Sequence, residues 1–247
     1  MDIQYLSHRK KELASFVRNG DFSHPGEIEA IQKVLQYIEK KDTNTLLDVG
    51  CGLGGTASYI KKCGYGNPVC IDIDQNNINY ALNKYSDIEF YCCDVLNAES
   101  VCKKQQFDII YLISSFLTFE KQQESLATLS KLGNSNSTLV LFDYTATSIS
   151  KLPNLSWTAK LHTPIDPQNI NNMLKISGWK LTNFIDLSAN FLQWYLELMK
   201  MITAQKDAII KRFGINDYNS LFATYDFYTE CYKNHILGGC IIIARKI

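Results

Sequence analysis

Leu46-Leu47-Asp48-Val49-Gly50-Cys51-Gly52-Leu53-Gly54-Gly55-Thr56 is the stretch whose reading decides the fold. A short apolar run gives way to four glycines within six positions, and Thr56-Ala57-Ser58-Tyr59-Ile60 then opens a helix. Glycine lacks a Cβ and tolerates positive φ, so the backbone of such a loop can lie directly against a ligand. The helix start behind it offers unpaired N–H groups and the positive end of a dipole. Strand, glycine loop and helix in this order predict a site for a nucleoside-like ligand.

Two cofactor classes use that geometry. Gly50-x-Gly52-x-x-Gly55 satisfies the dinucleotide fingerprint, and Asp72 follows at about the 20-residue distance of a ribose-binding acid. Asp48 argues against a dinucleotide. An acid two residues before the first glycine repels a pyrophosphate. It suits a ligand with a positive end, such as the sulfonium and ammonium of S-adenosylmethionine, acting by orienting the loop or through water.

With these residues, and with Val69-Cys70-Ile71-Asp72-Ile73-Asp74, Cys93-Asp94-Val95 and Phe107-Asp108-Ile109-Ile110-Tyr111, the sequence resembles the class I S-adenosylmethionine-dependent methyltransferases. The resemblance implies a Rossmann-like α/β fold, with a mostly parallel seven-stranded sheet and a reversed last strand. It implies S-adenosyl-L-methionine as cofactor and S-adenosyl-L-homocysteine as product. By position Gly50, Gly52 and Gly54, with Asp48 and Cys51, would hold the methionine part. Asp72 would take the ribose hydroxyls, and Ile73, Asp94 and Val95 would surround the adenine.

Composition agrees with such a chain. The 247 residues suffice for one large domain, and 46% hydrophobic with 12% aromatic content fills a core. The 25 basic and 25 acidic side chains balance, which leaves no overall field for nucleic acid. No run of 18 apolar residues suggests a membrane span, and Met1-Asp2-Ile3-Gln4-Tyr5 does not read as a signal peptide. The eight cysteines form no Cys-x-x-Cys and are expected as buried, reduced thiols of a cytoplasmic protein. The four histidines show no metal-ligand spacing, so no metal is expected.

Residues 3–19 and 26–40 read as helices, the second with Ile28, Ile31, Val34, Leu35 and Ile38 on its apolar face. From 46 onward, strands near 46–50, 69–73, 88–92, 107–113 and 137–143 alternate with helices near 54–63, 75–85, 98–104 and 120–132. Gly133-Asn134-Ser135-Asn136 reads as a polar turn. Such alternation predicts a parallel sheet covered on both faces, with ligands beyond the carboxyl ends of its strands. A helix over 165–176 capped by Asp166 or Thr163, a strand over 179–187, helices over 189–212 and 217–235, and a strand over 238–245 complete the reading. The chain is thus expected as one domain, 1–247. Residues 1–42 form a helical lid, 43–150 the cofactor core, and 151–247 the substrate side, which carries a helical insertion before the last strand.

The acceptor is less well marked. Phe142-Asp143-Tyr144-Thr145-Ala146-Thr147, Gly26-Glu27-Ile28-Glu29-Ala30 and Asp186-Leu187-Ser188 are similar to segments of the phosphoethanolamine N-methyltransferases and of the small-amine enzymes acting on sarcosine and dimethylglycine. That resemblance implies that Tyr144 lines the acceptor pocket and that Tyr5 closes it. Ser23 and His24 would cover the cofactor. Lys160 would stand in place of a phosphate-binding arginine, with His162 beside it. Those phosphobase enzymes carry an acid and a catalytic histidine after the fourth strand, where this chain has Ser114 and Thr118. Tyr144 and His162 are therefore the candidate catalytic residues, and a small-molecule amine is the expected acceptor. O-methyl transfer, or cofactor binding without transfer, is the alternative. A monomer or weak dimer is expected.

A ligand at about 100 times its dissociation constant adds ~2.7 kcal/mol of stability, several degrees of melting temperature for a chain of this size. S-adenosylmethionine and S-adenosylhomocysteine should each raise the thermal midpoint, and NADH should not. A shift with NADH alone would show that the glycine loop had been misread.

Overall fold

The structure, a computed structural model, describes residues 8–102, 106–146 and 163–247. In chain order the elements begin with α1 (His8–Arg18), α2 (Glu27–Leu35), β1 (Thr45–Val49), α3 (Gly55–Lys62), β2 (Asn67–Asp72), α4 (Gln75–Lys84) and β3 (Glu89–Cys92). Next come α5 (Ala98–Val101), β4 (Phe107–Ile113), α6 (Gln122–Leu132), β5 (Gly133–Thr145), α7 (Ile170–Ile176) and β6 (Trp179–Asp186). The series ends with α8 (Ser188–Ala204), α9 (Lys206–Phe213), α10 (Ile215–Lys233) and β7 (Gly238–Lys246).

The seven strands form one sheet in the order β3-β2-β1-β4-β5-β7-β6. All neighbours from β3 to β5 are parallel, and β7 runs antiparallel to both β5 and β6. This is the mostly parallel sheet with a reversed last strand that the sequence predicts. Because successive strand residues point to opposite faces, each apolar run feeds two cores. Leu46, Ile109, Tyr111, Val140, Phe142, Ile241 and Ile243 meet α1, α2, α8 and α10 on one face. Leu47, Ile110, Leu112, Leu139, Leu141 and Ile242 meet α5, α6 and α7 on the other. Trp179 is fully buried in the second core, and its indole N–H donates to Leu126 C=O at 2.9 Å.

Five local expectations are corrected. Gly133–Asn136 is not a free turn but the irregular start of β5. Gly133 opposes Phe107 and Thr138 opposes Ile109, so β5 advances five residues while β4 advances two. The excess folds out, with Asn136 N–H donating to Asn134 Oδ1 at 2.9 Å. Helix α7 starts at Ile170 rather than 165, because Ile165 instead bridges β5 through Thr145 while Asp166 Oδ1 caps a turn at Gln168. The helix expected over 189–212 breaks at Gln205 into α8 and α9. Thr203 there turns its hydroxyl back on Met199 C=O, which loosens a helix, and the Gln205 amide reaches across to Val17 C=O. Ile28 is 43% exposed rather than part of the α2 core face. The thiols are also less uniformly buried than expected, since Cys92 is exposed and Cys63 and Cys93 are partly so.

Gly239 opposes Tyr144 across the β5–β7 ladder. A Cβ built there would stand 2.3 Å from the Phe191 ring, which is fully buried and stacked on Phe142 at 5.0 Å. The ring has nowhere to retreat. Gly239→Ala should cost about 1–3 kcal/mol by overpacking, read as a lower urea midpoint with an unchanged slope. An unaltered midpoint would mean that Phe191 is free to shift.

Candidate functional site

The glycine loop is held by the strand beside it. Gly50 N–H and Cys51 N–H both donate to Ile71 C=O, at 2.8 and 3.1 Å, which folds the loop over the end of β2. Gly50 has φ 80°, and a Cβ on it would meet Ser115 Cβ at 2.4 Å, so the position is closed to any side chain. Ser115 in turn donates its hydroxyl to Val49 C=O at 2.6 Å and ties the end of β4 to the end of β1. Gly52, with φ 57°, is different. Among the described residues the nearest atoms to a Cβ there belong to the Lys11 side chain, at 3.4 Å or more. A ligand can therefore reach the loop backbone at Gly52 once a flexible side chain moves.

Asp72 ends β2 under the loop. Its Oδ2 accepts Gly52 N–H at 2.8 Å and the Lys11 ammonium at 3.4 Å, and its Oδ1 accepts Asp74 N–H at 2.9 Å and Asn77 Nδ2 at 3.3 Å. This carboxylate lies beside the loop at the carboxyl edge of the sheet. Ile73 follows it as an isolated exposed aliphatic side chain, 51% accessible. Asp94 Oδ1 accepts Leu96 N–H at 2.8 Å and so caps a short turn, Val95–Asn97, in which Val95 is buried.

Asp48 is buried and lies beside Tyr111 in the β1–β4 pairing, and neither Asp48 Oδ2 nor Tyr111 OH has a partner of normal hydrogen-bond geometry. Burial, helped by the Asp72 charge, pushes its carboxyl up to about 8 without a ligand, and a cation beside it would draw that value back down.

His24 covers the start of α3. Its Nδ1 lies 3.3 Å from Pro25 C=O, which can only accept, so Nε2 is left to accept from the Thr56 hydroxyl at 3.2 Å. Its ring stands edge-on to Phe22 and Phe142. Burial pushes the imidazole down to about 3, and Arg18 adds to the shift. Ser23, by contrast, is exposed.

Beyond Phe142 an aromatic layer leads to Tyr144, at the end of β5. Phe142 stacks on Phe191, and Phe191 meets Tyr144 edge-on at 5.5 Å. The Tyr144 hydroxyl is hydrogen-bonded to that of Tyr195, whose ring stacks on Tyr228 at 5.5 Å and on Tyr232 at 5.3 Å. Burial raises the Tyr144 phenol well above its usual range, so it cannot serve as a base near neutrality. Arg18 lies over Tyr225 at the rim of this group, with its guanidinium paired to Glu27.

The residues after β4 turn inward. Ser114 has φ 53°, donates its N–H to Phe142 C=O at 2.7 Å, and buries a hydroxyl without a partner. The Thr118 hydroxyl is spent on Ser115 C=O at 2.6 Å. Asp143 accepts Tyr144 N–H at 2.8 Å and Leu117 N–H at 3.1 Å, and burial pushes it up to about 7. The structure thus gathers the loop, Asp72, His24 and Ser115, with Tyr144 reached through Phe142. Tyr5, Lys160 and His162 lie outside the described residues. Sequence reasoning missed Lys11, Arg18 and Ser115. The serine alone had a signal, standing in the small polar pair Ser114-Ser115 that ends the apolar run of β4.

Residues 46–152 match a family described as a methyltransferase domain. The chain is 31% identical over 149 residues to the phosphoethanolamine N-methyltransferase of Plasmodium falciparum, covering 58% of this chain and 55% of that protein. It is 24% identical over 235 residues to phosphoethanolamine N-methyltransferase 1 of Arabidopsis thaliana, covering 91% of this chain and 47% of that one. The chain thus spans about half the length of these curated relatives. Its fold superposes, with a TM-score of 0.86 and 15% identity, on Haemonchus contortus phosphoethanolamine N-methyltransferase 2 in complex with phosphomonomethylethanolamine and S-adenosylhomocysteine. That match covers 99% of this chain and 59% of the other.

A histidine neutral in the fold and titrating near 6.5 when unfolded stabilises the protein above pH 6.5, and this contribution is lost as pH falls toward 3. His24 should therefore account for about 2 kcal/mol of the stability lost between pH 7 and pH 5. His24→Asn should flatten that part of the urea-midpoint profile. A slope equal to that of the unaltered protein would remove the assignment.

Proposed function

We infer, of a chain that is in matched domain and in fold a class I S-adenosylmethionine-dependent methyltransferase, that it moves the methyl group to the nitrogen of a small amine. The cofactor supplies a methyl group on a cationic sulfur, already activated for in-line displacement. What falls to the protein is binding, alignment and exclusion of water. Gly50, Cys51, Gly52 and Gly54 would hold the methionine part. Asp72 would accept the ribose hydroxyls, with Ile73, Asp94 and Val95 about the adenine and His24 sealing the α3 side. The open backbone face at Gly52 supports this assignment, since a Cβ there would fill the cradle.

The observation that carries the amine reading is the tyrosine wall at the end of β5. The rings of Tyr228 and Tyr232 both lie against those of Tyr144 and Tyr195, with centroids 5.3–6.5 Å apart among these contacts, and burial holds the phenols of Tyr144, Tyr195 and Tyr232 protonated. Aromatic faces attract ammonium groups, and phenol hydroxyls orient them. An alcohol acceptor needs a base; of the two candidates Tyr144 is held protonated by burial, and His162 lies outside the described residues. A free amine needs only to lose its proton before attack. Phosphoethanolamine is the acceptor that the relatives' names supply, but Ser114 and Thr118 stand where those enzymes carry an acid and a histidine. The reading is therefore kept to small amines as a class. The free cysteines suit a cytoplasmic setting, and among the described residues no helix is long and apolar enough to cross a membrane.

The test incubates the protein with labelled S-adenosylmethionine and phosphoethanolamine, ethanolamine, sarcosine, dimethylglycine or the hydroxyl analogue of each. Products are read by mass spectrometry. A methyl group on nitrogen with at least one amine, and none with its hydroxyl analogue, is the expected result. Transfer to oxygen alone would overturn the amine reading. Tight S-adenosylhomocysteine binding without any turnover would point to a binding protein.

A further inference from the structure

The carboxylate of Asp72 is saturated, and one of its four donors comes from another part of the chain. An ionised carboxylate has about four lone-pair sites. Gly52 N–H and Asp74 N–H are backbone groups of the loop and strand end, and Asn77 is a fully buried side chain of α4. The fourth donor, the Lys11 ammonium, arrives on a flexible stem from α1. That stem also lies over the loop. Gly50 is closed by Ser115, Gly54 by Phe90 and Tyr85, and Gly55 by the Asp21 backbone, whereas among the described residues the atoms nearest a Cβ on Gly52 are those of the Lys11 side chain, with Nζ at 3.4 Å and Cδ and Cε at 3.9 Å.

The remainder of α1 is fastened to the helical insertion. Arg9 Nε and Nη2 donate to Asp217 Oδ2 at 2.9 and 2.7 Å, and Nη2 also donates to Phe213 C=O at 3.0 Å. Phe16 packs edge-on against Phe213, and the Gln205 amide donates to Val17 C=O. Helix α1 thus spans from the α9–α10 cap to the carboxylate at the cofactor site.

We propose that α1 is a strap that competes with the cofactor, Lys11 holding Asp72 and covering Gly52 until the ribose hydroxyls replace it. This rests on the reading of Asp72 as the ribose acid. Docked, the ammonium neutralises a carboxylate that would otherwise stand buried and uncompensated. Withdrawn, it frees one lone-pair site on Oδ2 and the open face of the loop together. The Arg9–Asp217 clasp sets how often α1 lifts, so cofactor entry is coupled to the cap on the acceptor side.

Lys11→Met keeps the stem and removes the charge. Affinity for S-adenosylhomocysteine is measured by calorimetry, and its association rate by stopped-flow tryptophan fluorescence. When the competent form is a minor fraction of the population, apparent affinity is reduced by that fraction, so Lys11→Met should bind about three- to tenfold tighter with a similar gain in association rate. Its ligand-free thermal midpoint should be equal or lower. Arg9→Ala, which touches neither Asp72 nor the loop, should raise the association rate in the same direction. Weaker binding by Lys11→Met with the midpoint preserved would make Lys11 a cofactor ligand and overturn the strap. Unchanged binding would overturn it too. Should Lys11→Met not fold, an unchanged rate in Arg9→Ala decides against the proposal. Failure of the unaltered protein to bind S-adenosylhomocysteine is a separate result, which removes the cofactor reading and the strap with it.

Discussion

Three consecutive loop amides are tied to two consecutive residues of the neighbouring strand. Ile71 C=O takes the N–H groups of Gly50 and Cys51, and the Asp72 carboxylate takes that of Gly52. The rest of the site depends on this clamp. It exists because β1 and β2 pair in parallel with Val49 opposite Ile71. A slip of one residue would turn Asp72 to the other face of the sheet, and the loop would lose its anchor. Sheet register and the shape of the loop are one constraint. The glycines then follow from what lies around the clamp, with Ser115 packed so close to Gly50 that no side chain fits.

The two faces of the sheet are built from different materials. The face under α5–α7 is largely aliphatic, whereas the face under α1, α2, α8 and α10 carries the aromatic layer from His24 through Phe142 and Phe191 to the tyrosines. Two acids, Asp48 and Asp143, are buried near the carboxyl ends of β1 and β5, and burial raises both. Asp143 answers for its burial by accepting the amides of Leu117 and Tyr144, which holds the segment after β4 against the end of β5. Trp194 makes a comparable join on the lid side. It donates to Glu29 and lies against Gly26, where a Cβ would stand 2.6 Å from its ring.

What was legible in the sequence was whatever one segment decides for itself. Apolar runs became strands within a residue or two, except at the irregular start of β5, and the spacing from Gly52 to Asp72 located the acid that the loop binds. What escaped depends on partners distant in sequence. Lys11 and Arg18 read as the polar side of a helix, and only packing turns them into the site. The break at Gln205 needs Val17 as a partner, and Ile165 left its helix because β5 had an edge to offer it. The burial of Asp48 between two strands, which raises its carboxyl, was hidden for the same reason.

The strand order has a consequence for how the chain comes together. β7 follows the other six strands in sequence yet lies between β5 and β6, with eight paired positions on one side and seven on the other. Until it arrives, β5 keeps a long apolar edge with unpaired amides, β6 has no neighbour in the sheet, and Phe191 has no Gly239 to lie on. Such non-local pairing is slow to form, and an open hydrophobic edge is the surface on which partly folded chains associate. The helices α8 and α10 that pack on Phe142 and Tyr144 are therefore secured last. The first five strands can pair among themselves, while the helices beyond them wait for one strand to enter between β5 and β6.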